Sequence, residues 1–119
     1  MNINIGWVLE EDILRFWAIG ALHSELPEED QQYVRHRIQA PPDVPLLLMD
    51  LSSLFRADSW GKDHLENLLA SLVVQGTKVA GLHNPEKPWL TSDITLGYSE
   101  EEGVWVAKDE KTALEWLRS

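Results

Sequence analysis

The chain's apolar and polar positions alternate in segments of two different periods, separated by turn-forming residues. Residues 3–9 and 12–19 follow period two and predict two strands. The polar break Glu10-Glu11-Asp12 makes a hairpin the expected connection. Ile13, Phe16, Trp17 and Ile19 supply bulk for packing, and Gly20 is expected to end the second strand. A helix is predicted over Pro27–Gln39, with Pro near its first position. Glu28, Glu29 and Asp30 lie in its first turn and Arg35, His36 and Arg37 in its last, both complementing the helix dipole. Its apolar stripe, Val34 and Ile38 with Tyr33 beside them, is narrow, which places it on the surface; Pro41-Pro42 stops it.

Val44 to Leu48 is a continuous apolar run and reads as a strand buried on both faces, at the centre of a sheet. Residues 50–58 are expected to form a loop. The strongest helix spans about 60–75, where Leu65, Leu68, Leu69, Leu72 and Val73 recur at i, i+3, i+4, i+7 and i+8. Asp58 or Ser59 is placed to cap its start, and Gly76 stands where a terminating glycine belongs. Lys78 to His83 predicts the next strand, 84–88 a loop, and 89–96 a weak helical turn. Val104–Ala107 predicts a last short strand. Asp109 opens a final helix with Ala113, Leu114 and Leu117 turned inward.

The predicted order is β-β-α-β-α-β-(α)-β-α. Helical crossovers imply an α/β fold: a mixed, largely parallel sheet of about five strands with helices packed on it. A length of 119 residues suits one domain, residues 1–119, with core enough to need no staple.

Composition narrows the function. With no Cys there is no disulfide, thiolate nucleophile or Cys-type zinc site. Residues 1–6 lack a basic stretch followed by an apolar one and do not read as a signal peptide, so a cytoplasmic location is expected. Apolar runs such as Leu46–Met49 are far too short to span a membrane. Ten Lys and Arg against twenty Asp and Glu leave a net charge of −10. Such a surface repels nucleic-acid phosphates and anionic lipid, and suits either solubility or a basic protein partner.

Enzymatic readings are weak. His23, His36, His64 and His83 are scattered with no His-Glu-x-x-His spacing, so no metal site is expected. Asp63 and His64 could join Ser59 in a triad only through spatial proximity, which spacing does not supply. Acidic groups such as Glu28-Glu29-Asp30 and Glu100-Glu101-Glu102 read as solvated faces. No catalytic residue and no cofactor is expected. The turn Asp58-Ser59-Trp60-Gly61 holds the most interest, because a helix N-terminus presents unpaired N–H groups suited to an anion. Its plain alternative is that Asp58 and Ser59 merely cap the helix. Trp60 reads either as an interface anchor or as a lid folded back on the core. Trp17 and Trp105 are expected in the core, and Trp89 at a pocket mouth.

Several short motifs, in order, resemble the STAS domain of bacterial anti-sigma-factor antagonists. Gly20-Ala21-Leu22-His23 is similar to the family's turn after the second strand, and Asp50-Leu51 to the close of its central strand. Asp58-Ser59-Trp60-Gly61 resembles its Asp-Ser-Ser-Gly turn, Gln75-Gly76 its next turn, and Lys111-Thr112-Ala113-Leu114 its last helix. Trp60 in place of a small residue, and the Pro-rich, acidic segment 84–103, depart from that pattern. The resemblance implies a regulatory domain that binds a protein partner, such as an anti-sigma factor or serine kinase. It implies Ser59 as the phosphate acceptor, with Asp58, Ser59, Trp60, Gly61 and His23 forming the partner-binding site. It leaves as the alternative a domain of the same fold that binds a lipid or other apolar ligand, or acts as a scaffold, without phosphorylation.

Overall fold

The computed structural model describes residues 2–119. Its strands are β1 (Asn4–Glu10), β2 (Ile13–Leu22), β3 (Leu46–Asp50), β4 (Leu54–Ala57), β5 (Lys78–Leu82) and β6 (Val104–Ala107). Its helices are α1 (Glu28–Arg37), α2 (Ser59–Gln75), α3 (Trp89–Ile94) and α4 (Glu110–Leu117), with a 3-10 turn at Glu100–Glu102. The sheet runs β1-β2-β3-β5-β6, and β4 pairs with the far end of β2. Only β1 is antiparallel to its neighbour; β3, β4, β5 and β6 all join in parallel pairings. The α/β architecture is therefore mixed and largely parallel, as the alternating periods imply.

The sheet has six strands rather than five, because the expected loop 50–58 contains β4. That strand is four residues long, and only its end residues Leu54 and Ala57 are buried, too little alternation to separate from a loop. The second strand also runs past Gly20 to Leu22. Gly20 adopts φ +105°, where a Cβ would overlap the Asn2 carbonyl oxygen. The pairing with β4 shifts register at this point, so the glycine makes a bulge instead of an end. The central strand starts at Leu46 rather than Val44. Pro45 precedes it, and its carbonyl accepts from Lys78 N at 2.9 Å.

The two sheet faces are covered unequally. On one, α1, α2 and α3 close over Ile5, Phe16, Ala18, Leu47, Met49 and Val79, which meet Leu65, Leu68, Leu69 and Leu72 of α2. On the other, α4 packs over β3, β5 and β6 with Leu48, Ala80, Leu82, Ala113 and Leu117. Leu114 is only half-buried there. Trp17 and Trp105, expected in the core, are likewise half-buried and lie at the surface of that second face.

Helix α1 buries Val34 alone along its length, as its narrow stripe implies. It is held by polar contacts instead. The Tyr33 hydroxyl accepts from Ile5 N at 3.0 Å and donates to Ile5 O at 3.2 Å, occupying the outer edge of β1. Trp7 Nε1 donates to Arg37 O at 2.8 Å.

Helix α2 meets β2 at Gly61, which is buried in its first turn. A Cβ on Gly61 would overlap the Leu22 carbonyl oxygen and lie 2.8 Å from the Leu22 Cβ. The obstacle is strand backbone, which has little room to yield. Gly61→Ala is expected to lower the unfolding free energy by about 2 kcal/mol, because overpacking outweighs the helix-propensity gain of about 1 kcal/mol. Urea unfolding measures this, and a variant as stable as the parent would show slack at the β2–α2 contact.

Candidate functional site

The turn Asp58-Ser59-Trp60-Gly61 begins where β4 ends. Ala57 pairs with Leu22, and Asp58 N donates to Leu22 O at 3.3 Å, so the start of α2 sits beside the turn that follows β2. Of the two possible caps, Asp58 is the one used. It has extended backbone, and its Oδ1 accepts from Gly61 N at 3.1 Å. Its Oδ2 accepts from both the backbone N and the hydroxyl of Ser24, each at 2.9 Å. One carboxylate thus ties the β2–α1 turn to the N-terminus of α2. These bonds, the Ser24 backbone N–H foremost, hold the Asp58 carboxyl below the ordinary carboxylate range.

Ser59, the first residue of α2, is exposed, and no side-chain hydrogen bond engages its hydroxyl among the described residues. Asp58 takes the Gly61 N–H, and Lys62 N donates to Asp58 O at 2.9 Å. Among the described residues, the Ser59 and Trp60 N–H groups have no hydrogen-bond partner at the positive end of a 17-residue helix. Asp58 therefore points toward the β2–α1 turn and leaves the outer side of the helix start open.

Trp60 folds back: it is half-buried and packs against the main core. Its ring meets His64 edge-on at a centroid distance of 4.5 Å. Burial, reinforced by the charge of Arg35, lowers the His64 pKa. His64 is engaged with Trp60, and no hydrogen bond joins it to Ser59 among the described residues. Nor do any three His, Asp or Glu among them stand where they could hold a metal ion.

His23 follows β2 directly, beside the Leu22–Ala57 pairing that leads into Asp58. Its Nδ1 is buried without a hydrogen-bond partner among the described residues. The structure thus brings together all five residues singled out in the sequence: His23, Asp58, Ser59, Trp60 and Gly61. Sequence reading missed Ser24, whose role depends on a contact 34 positions away. It also missed Phe55, exposed on the unforeseen β4, whose carbonyl accepts from Lys87 Nζ at 2.8 Å. Trp89, two residues beyond Lys87, is exposed too. Lys62, one turn into α2, pairs with Asp93 of α3 at 2.9 Å. The segment 84–94 is thereby fastened to the same end of the molecule as Ser59.

Asp58→Ala removes a cap and both Ser24 bonds together. The expected loss is about 1–2 kcal/mol at neutral pH. Because the folded carboxyl titrates below its unfolded value, its contribution is complete above about pH 4 and disappears as pH falls further. The gap between parent and variant should therefore shrink below about pH 4. Thermal melts across pH 3–7 measure this, and a gap constant with pH would remove the carboxylate from the account.

No protein-family model and no curated protein matches the sequence. Solved structures do. An uncharacterized protein of the DUF3478 family with a SpoIIAA-like fold, from Shewanella loihica PV-4, superposes with a TM-score of 0.56 at 22% identity, over 98% of this chain and 94% of that one. An anti-sigma factor antagonist from Mycobacterium paratuberculosis gives a TM-score of 0.65 at 14% identity, over 98% and 95%. The anti-sigma factor antagonist SpoIIAA in its unphosphorylated form gives 0.62 at 14% identity, over 98% of both chains. These likenesses extend over nearly the whole chain, and they establish that it has the SpoIIAA-like, STAS-type α/β fold.

Proposed function

We propose that this domain is a cytoplasmic regulatory module that binds a protein partner through the corner around Asp58-Ser59-Trp60-Gly61 and His23, and that phosphorylation of Ser59 switches the binding. The partner class is an anti-sigma factor or the serine kinase that modifies Ser59. The observation that carries this reading is the free Ser59 hydroxyl beside two uncommitted N–H groups at the start of α2. A phosphate on that oxygen would gain hydrogen bonds and a favourable helix end. It would also add nearly two negative charges to the docking corner. The fold shared with proteins described as anti-sigma factor antagonists supports the same reading.

The side chains divide the work. Asp58 holds the corner rigid, Gly61 sets the depth of α2 against β2, and Trp60 anchors the first turn while offering its outer half to a partner. Ser59 alone presents a free reactive group. The charge introduced at Ser59, rather than a rearranged backbone, is then the signal.

Incubation with the cognate serine kinase followed by peptide mapping should place one phosphate on Ser59, and Ser59→Ala should accept none. Ser59→Asp, measured by calorimetry against the partner, should weaken binding about tenfold or more, as a charge brought into an interface does. Phosphate mapped to another residue, or Ser59→Asp binding as tightly as the parent, would refute the switch.

A further inference from the structure

The β1–β2 hairpin turns one face to the main core. Its other face meets α4 at one end, through buried Ile13 and the Arg15–Glu110 ion pair, while half-buried Trp17 and exposed Ile19 lie beyond it. Alternation places Asn4, Gly6, Val8 and Glu10 of β1 and Ile13, Arg15, Trp17 and Ile19 of β2 on this second face, with Ile13 buried at the α4 end. Trp17 lies directly across from Gly6, and a Cβ at Gly6 would overlap the Trp17 ring. The indole therefore rests flat on bare backbone. Its Nε1 donates to Asn4 Oδ1 at 2.8 Å, which fixes the ring's orientation. Val8 is 41% exposed and Ile19 is 39% exposed on either side of it. A shallow groove of about 150 Å³ runs from Trp17 and Ile19 to Asp50, Ser52 and Ser53.

One end of this apolar strip is acidic. The Arg15 guanidinium is shared by Glu110 at 2.9 Å, Glu10 at 3.2 Å and Asp50 at 3.4 Å. Three carboxylates around one cation leave an excess of two negative charges. Glu11 and Asp12 continue the acidic border, with Arg118 between them and α4.

We propose that this uncovered face docks a basic amphipathic helix of a partner protein. Its apolar side would lie on Val8, Trp17 and Ile19, and its Lys or Arg residues would face Glu10, Asp50 and Glu110. Charge complementarity selects this occupant over a second copy of the chain. Two copies face to face would bring two surplus acidic clusters together, each on a chain of net charge −10. The preset Trp17 ring reduces the ordering cost of binding. This face is distinct from the Ser59 corner, so the two surfaces stand or fall separately.

The test uses the full chain and two synthetic amphipathic helices, one Leu/Lys and one Leu/Glu, in NMR titrations. The Leu/Lys helix should shift the Trp17 indole N–H and the Val8 and Ile19 amides, less strongly as salt rises, and the Leu/Glu helix should not. Val8→Ser combined with Ile19→Ser alters two exposed side chains and should leave the fold intact, as the amide spectrum will show. It should weaken the Leu/Lys helix about tenfold or more. Shifts gathered on another surface, equal binding of the Leu/Glu helix, or unchanged affinity in the double variant would overturn the proposal. So would a dimer by sedimentation that the double variant splits, which would give the face to a second copy.

Discussion

The contact between Gly61 and the Leu22 backbone governs the geometry of this molecule. Helices pack on sheets at a distance set by side chains, and α2 comes closer to β2 than any side chain would allow. That approach brings the first turn of α2 against the end of β2. There the Asp58 carboxylate reaches Ser24 with one oxygen and Gly61 N with the other. Leucines further along α2 are buried against the sheet as well, but they would tolerate small shifts. The carboxylate bridge would not, because its bonds depend on sub-ångström placement of two turns far apart in sequence. Ser59 inherits its position from this arrangement without contributing to it.

Much of this was legible in the sequence, for identifiable reasons. The i, i+3, i+4 leucines of α2 and the apolar run of β3 carry strong periodic signals, and both elements lie within two residues of where those signals place them. The strand β4 gave no such signal, since four residues with two exposed in the middle mimic a loop. Gly20 misled for a physical reason: glycine ends strands and also permits bulges, and only the neighbouring Asn2 carbonyl decides between them. Trp17 and Trp105 lie in strand patterns and read as core residues. Trp17 lies on the part of the second face beyond α4, and Trp105, on edge strand β6, is covered on one side by Trp116 of α4. The candidate corner was visible as a local motif, but the Ser24 link and the exposed Phe55 are long-range facts that no local pattern encodes.

The acidic surplus is unevenly used. Around Arg15 it builds a network across β1, β2, β3 and α4. At the Ser59 corner the nearest carboxylate, Asp58, keeps its charge, and its two oxygens are directed at Ser24 and Gly61 N.

The hydroxyl of Tyr33 has a wider effect than its two hydrogen bonds suggest. It satisfies both backbone groups of Ile5 on the outermost strand, while the helix that carries it has little apolar grip. Detachment of α1 would therefore do two things at once: loosen a surface helix and bare a strand edge able to pair with another chain. The same phenolic oxygen thus fastens a helix and covers one edge position of the outermost strand.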